Sequence, residues 1–149
     1  MGGVVMTQED KELLLKDLCA RLPYGVKMID TEPYSAEHNP ILTLSYISED
    51  NGIGCRAGKG FMATSLGSIK PYLFPLSSMT DKDLVKFLQI RGMNLNSDEL
   101  KTFRRGITVI VSILPSYSRH IDWLNKNHFD YRGLIEKGLA IDATGLNIY

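Results

Sequence analysis

Ile53-Gly-Cys-Arg-Ala-Gly-Lys-Gly-Phe-Met-Ala-Thr-Ser-Leu66 decides how this chain is read. Ile53 to Arg56 and Gly60 to Leu66 have strand character, and Ala57-Gly58-Lys59 between them reads as a hairpin turn. The glycines at 52, 54, 58 and 60 weaken the specification of register, because they offer no side chain to place. The same glycines invite a phosphate-loop reading. That loop needs Gly, four residues, then Gly-Lys-Ser/Thr, so that a fixed number of amides wraps the phosphate. Counting back from Gly58, Ile53 stands where the first glycine belongs. Gly60 stands where the metal-binding hydroxyl belongs. The motif fails at both positions, and the hairpin reading holds.

Upstream, Asp50-Asn51-Gly52 marks a turn, and Ile41 to Ile47 before it is rich in strand formers. Val26 to Ile29 is a further short strand. Residues 30–40 between these strands hold polar and turn residues, including Pro33 and Pro40. A small, mainly antiparallel sheet is expected from the middle of the chain. Before it, Thr7-Gln-Glu-Asp10 reads as a helix start, with Thr7 as the cap and acids at the positive helix end. Leu14, Leu18 and Leu22 recur at spacing four, with Leu15 and Cys19 beside them. This predicts an amphipathic helix over 8–22 with Cys19 buried. Pro23-Tyr24-Gly25 ends it.

Downstream, Ile69-Lys-Pro-Tyr-Leu-Phe-Pro-Leu76 carries two prolines four apart. Proline lacks the amide that helices and central strands need, so neither is expected here, and an extended segment over 69–79 is expected to cross between sheet and helices. Thr80 caps the next helix, Asp83 sits at its third position, and Met79 can staple onto Leu84. Gly92 stops that helix. Asn96 starts another, with Glu99 three residues on and Lys101, Arg104 and Arg105 at its negative end. Ile107 to Leu114 reads as a buried strand at period two. Leu100, Phe103, Ile107, Ile110, Val111 and Leu114 also fit helical spacing, so the helical alternative stays open. Ser116 or Ser118 caps a helix carrying Ile121, Trp123, Leu124 and His128. A last helix is expected over 131–137, closed by Gly138 in the left-handed position. Residues 1–6 and 143–149 are expected to be flexible ends.

The chain has 149 residues, with 17 basic residues balancing 17 acidic ones. That size suits one domain. The balance excludes a strongly basic nucleic-acid coat or an acidic tail, though not a local patch. Two cysteines, Cys19 and Cys55, make neither a disulfide framework nor a zinc site. No apolar run reaches the length needed to span a bilayer, and Met1 to Met6 lacks the features of a signal peptide. Cytoplasmic residence and no membrane partner are therefore expected.

No catalytic motif, metal set or cofactor signature is found. His38, His120 and His128 are the chain's imidazoles. His120 and His128 lie eight apart on the expected helix, too far to share a metal ion. His120 and Asp122 point apart. These residues and His38 are nevertheless the candidates for a small enzyme with a non-local acid–base site. Ser65, Ser77 and Ser78 lack a nucleophile elbow. Tyr72, Phe74, Trp123 and Tyr131 are the aromatic candidates for a recognition surface, against core packing as the plainer reading. Arg104 and Arg105 are candidates for phosphate contact, with Arg119, Lys126 and Arg132 able to extend the patch.

Three blocks, DLCARLPYGVKM (17–28), IKPYLFPLSSMT (69–80) and DWLNKNHFDYRGLIEKGLAI (122–141), resemble a set of small proteins encoded by gut anaerobic bacteria, their phages and mobile elements. That family has no assigned activity, so no site residue transfers. The resemblance implies a cytoplasmic, phage- or mobile-element-associated protein. The expectation is a single α+β domain, its small sheet packed against helices from both ends of the chain. It is expected to act as a non-enzymatic binding or accessory module for a protein or nucleic-acid partner. The alternatives are the small enzyme named above and a homo-oligomeric assembly component.

Overall fold

The computed structural model describes residues 6–31, 41–50, 52–90, 96–105 and 118–149; for Ser97, Phe103, Arg104, Arg105 and Ser118 it describes the backbone alone. The 107–114 stretch, Gly92, Ser116, His38 and residues 1–5 lie outside the described residues.

Helix α1 spans Gln8–Arg21. The Thr7 hydroxyl accepts from the Asp10 amide at 3.0 Å and the Asp10 carboxylate accepts from the Thr7 amide at 3.4 Å. Two amides that the first turn cannot satisfy are thereby paired. Pro23 then tightens the chain into a single 3₁₀ turn, and Gly25, at φ +66°, redirects it into the sheet. Strand β1 (Lys27–Asp30) pairs antiparallel with β2 (Leu42–Ile47), β2 with β3 (Gly52–Ala57), and β3 with β4 (Gly60–Ser65). The β3–β4 hairpin runs in unbroken register from Gly52↔Ser65 to Ala57↔Gly60, with Gly58 at φ +58° in its turn.

The proline-bearing segment, expected not to be a central strand, is one. Ile69–Pro75 is strand β5, and it is central: the order is β4-β3-β2-β1-β5-β6, with β7 (Ile141–Asp142) also on β5 and β6 at Phe129–Asp130. The prolines are tolerated because β5 changes neighbours along its length. Pro71, opposite Met28, is the last residue registered with β1. Tyr72 and Leu73 then pair with β7, and Phe74 and Pro75 with β6, both parallel. Each missing amide falls at a boundary between partners, where no ladder bond is due.

Helix α2 (Asp81–Gln89) opens with the expected reciprocal cap: the Asp83 amide donates to the Thr80 hydroxyl and the Thr80 amide to the Asp83 carboxylate, both at 3.1 Å. Helix α3 (Ser97–Arg105) opens on Asn96, whose side chain accepts from the Glu99 amide at 2.9 Å. Helix α4 spans Ser118–Lys126.

The apolar residues fall into two cores. In the first, Leu14 and Leu18 of α1 pack on Met28, Leu42, Leu44, Ile53, Cys55 and Ile69 from one face of the sheet. In the second, Met79, Leu84, Phe87 and Leu88 pack with Leu124 and Phe129. The result is the expected α+β fold, a mostly antiparallel sheet with helices from both halves of the chain.

Three local expectations are corrected. No α-helix forms over 131–137: Phe129 and Asp130 are held as β6, Gly133 turns left-handed at φ +76°, and only one turn remains before Gly138 at φ +74°. The 143–149 tail is packed, with the Ala143 amide on the Leu73 carbonyl at 2.8 Å and Tyr149 bonded to two strands. Cys19 is exposed and Cys55 buried, because the face that α1 buries runs through Leu14, Asp17, Leu18 and Arg21.

Candidate functional site

Among the described residues, one face of the sheet is covered and the other is open over β2 to β4. Strand alternation sends Leu42, Leu44, Ile53 and Cys55 to the first core. Their neighbours go the other way. Register places Lys27, Thr43, Arg56 and Phe61 side by side across β1 to β4 on the opposite face, with Tyr46, Gly54 and Ala63 in the next row. A bulge after Leu44 makes Tyr46 rather than Ser45 oppose Gly54. The Tyr46 ring lies on the Gly54 backbone, where any side chain would collide with it. One ring face is thus held against the sheet while the residue stays 52% exposed. Phe61, on the edge strand, is 71% exposed. Ile41 also adds exposed apolar surface beside β2. Among the described residues on this face the charged groups are Lys27, Arg56 and Lys70, all cations; Lys59 sits in the adjoining turn.

Behind the sheet, α1 carries a buried charge cluster. Arg21 and Asp17 are fully buried and joined by a 2.7 Å Nε–Oδ2 bond. Arg21 Nη2 donates to the Phe129 carbonyl at 2.7 Å, tying α1 to β6. Arg132 reaches the other Asp17 oxygen at 3.3 Å and donates to the Tyr131 hydroxyl at 2.9 Å, which itself donates to Asn125 Oδ1 at 2.9 Å. The Tyr131 ring takes a guanidinium 4.7 Å (Arg132) and another 5.4 Å (Arg21) from its centre. Burial raises the Tyr131 phenol above its ordinary value. These groups are committed to one another and join elements; Arg132 belongs to this joint rather than to a basic patch.

No family model, curated protein or solved structure matches the chain.

His128 lies beyond the end of α4, at φ +64°, and stacks on Tyr149 with centroids 3.6 Å apart. It is not on the helix with His120, as the sequence spacing suggested. Burial, then the Arg21 and Lys27 cations, push its imidazole down to about 4. An unfolded imidazole titrates near ~6.5. Above that pH both states are neutral, so nothing is lost. Between about 6.5 and 4 the unfolded chain binds the proton first, and stability falls as pH falls. Screening at the partly open ring reduces the full effect to roughly 2 kcal/mol. Urea unfolding at pH 7, 5 and 4 checks this. His128→Asn keeps a residue that accepts positive φ and is expected to flatten the loss; an equal loss in that variant removes His128 as its source.

His120 is 4% exposed and meets the Phe87 ring edge-on at 4.9 Å, while Asp122 is exposed. Phe74 and Trp123 both pack on Phe129, at 6.1 and 5.6 Å between ring centroids. Tyr72 is buried. Arg104 and Arg105 close α3, and their side chains lie outside the described residues. A groove of about 330 Å³ beside Phe74 and Phe129 is also lined by Ser78, Thr80, Asp83 and Asn127. Its polar groups serve local structure: Ser78 donates to the Pro75 carbonyl at 2.7 Å, Asn127 to the Trp123 carbonyl at 2.9 Å, and Thr80 and Asp83 cap α2. On the covered side of the sheet Thr64 donates to Asp30 at 3.1 Å, and burial together with Asp30 pushes the Cys55 thiol up to about 11. That thiol is an inert core group. Among the described residues no cluster of metal-ligating side chains occurs.

Phe61, Tyr46 and Arg56 escaped the sequence reading. The signal was present: Ile53 and Cys55 alternate with Gly54 and Arg56, so the apolar set marks the inner face and its complement the outer one.

Proposed function

We propose that this chain is a non-enzymatic binding module and that the open face of its sheet is the contact surface. The observation that carries the reading is Phe61, 71% exposed and directly opposite Arg56 in register. Exposed aromatics beside arginine are the residue types that dominate binding hot spots. Helix α1 and the two cores need neither side chain. Residence in the cytoplasm fits the exposed, unbridged thiol of Cys19. Among the described residues no helix is long and apolar enough to cross a membrane.

Site-specific cross-linking tests the surface. A photo-reactive benzoylphenylalanine in place of Phe61 is expected to capture a macromolecule in cells. The same group in place of Glu12, exposed on α1, is expected not to. Equal yields from both positions, or none from position 61, would remove the open face from the account.

A further inference from the structure

We infer that the open sheet face takes single-stranded nucleic acid, with bases stacked on Phe61 and Tyr46 and phosphates held by Arg56, Lys59 and Lys70. This rests on the reading of that face as the contact surface and goes further by naming the ligand.

The first argument is shape. Around the two rings the sheet carries small residues and one arginine. Thr43, Gly54 and Ala63 form the floor, by register, and Arg56, beside Gly54 on the middle strand, is the one long side chain between the strands of Tyr46 and Phe61. Tyr46 is pressed onto Gly54, which leaves its ring lying over the strand rather than standing off it. Neighbouring strands are ~4.8 Å apart, so a side chain on β2 and one on β4 are separated by about two strand spacings. That is room for a base on each ring and none for a folded knob between them. Planar ligands with π faces suit such a floor, and every nucleobase has one.

The second argument is charge. Arg56 stands directly opposite Phe61, one strand inward, and Lys59 is in the turn two residues before Phe61. Lys70 lies on the same face at the β1–β5 side, opposite Ile29. Lys27 is already held by the Ile148 carbonyl at 2.9 Å. No acid lies on this face among the described residues; Glu49 and Asp50 sit in the turn beyond its other end. A chain that is neutral overall has thus gathered cations around its exposed rings, which is complementary to a polyanion. A duplex hides its base faces inside the stack, so rings would gain nothing from it. Single strands offer both features at once.

The experiment is fluorescence anisotropy of the full chain with labelled oligo-dT and oligo-U of about twelve nucleotides, and with a duplex of the same length. Single strands are expected to bind better than duplex and to weaken steeply between about 50 and 200 mM salt. Phe61→Ala and Tyr46→Ala are each expected to weaken binding about tenfold. Arg56→Ala is expected to weaken it for every sequence and to lower the salt slope by about one. Thermal melting of each variant shows that the fold is kept. Failure to bind single strands at low salt overturns the inference, as does equal binding of duplex or binding unchanged in the Phe61→Ala, Tyr46→Ala double variant. If the position-61 cross-linker meanwhile captures a protein, or a second copy of this chain, the binding-module reading survives and the nucleic-acid ligand does not.

Discussion

Asp17→Ala is expected to cost about 3–5 kcal/mol of folding stability. Arg21 is fully buried, and Asp17 supplies the negative charge that compensates it. Removing the carboxylate leaves a guanidinium without solvent or counter-charge, and leaves Arg132 without its ionic partner. Two cations then share one interior site. The Phe129 carbonyl still accepts from Arg21, but a neutral acceptor does not replace an anion. Arg21→Met is expected to cost less, because Asp17 keeps Arg132 and the methionine stem fills much of the same volume. Urea denaturation at neutral pH measures both. A loss below about 1 kcal/mol for Asp17→Ala would mean that Arg21 reaches water, against its complete burial.

Asp130→Ala is the second large effect, at about 3 kcal/mol. Its two carboxylate oxygens accept from the Leu134 amide at 3.0 Å and the Ile135 amide at 2.9 Å. Asp130 is 7% exposed and Leu134 fully buried. Truncation orphans both donors, and the Leu134 amide lies where water cannot replace the acceptor. Asp130→Asn keeps one good acceptor and is expected to lose about half as much. A thermal melt shows the alanine variant shifted down by about 10 °C. Hydrogen exchange at residues 134 and 135 separates the mechanisms: fast exchange there, with the β3–β4 hairpin unchanged, marks a local loss.

What the sequence made legible was whatever is decided within a few residues. The caps at Thr7, Thr80 and Asn96 each need a side chain and an amide three positions apart, and all three formed. The β3–β4 hairpin needed only its turn and two alternating runs. The misreadings over 69–75, 131–137 and 143–149 share one cause, which is that a distant partner overrode a local preference. Pro71 bars a strand only if its amide is owed a ladder bond, and the strand changes neighbours there. Residues 131–137 have a helix-ending glycine, but pairing of Phe129 and Asp130 with β5 fixes the entry in an extended form. The 143–149 tail looks unanchored until Tyr149 finds β1 and β5.

The candidate site was legible in part. The recognition aromatics chosen from sequence, Tyr72, Phe74, Trp123 and Tyr131, are residues that contact other parts of the fold. Phe61 and Tyr46 read from sequence only as strand residues, because alternation tells two faces apart without saying which one a helix covers. The buried pair left a usable sign: Asp17 and Arg21 fall at spacing four on the same face as Leu14 and Leu18. A charged pair in the middle of an apolar stripe is a buried pair or a break in the stripe, and here it is the former.

Tyr149 crosses the place where β1 and β5 part company. Its hydroxyl accepts from the Lys27 amide at 2.9 Å and donates to the Tyr72 carbonyl at 2.7 Å, and burial pushes the phenol up to about 12, so that proton is kept at every physiological pH. The partners are 122 and 77 positions away along the chain. On a ribosome, then, the hairpin half of the molecule can assemble while synthesis continues, but this seam must wait until residue 149 has emerged. Until that moment the nascent chain carries an unzipped cleft beside β1.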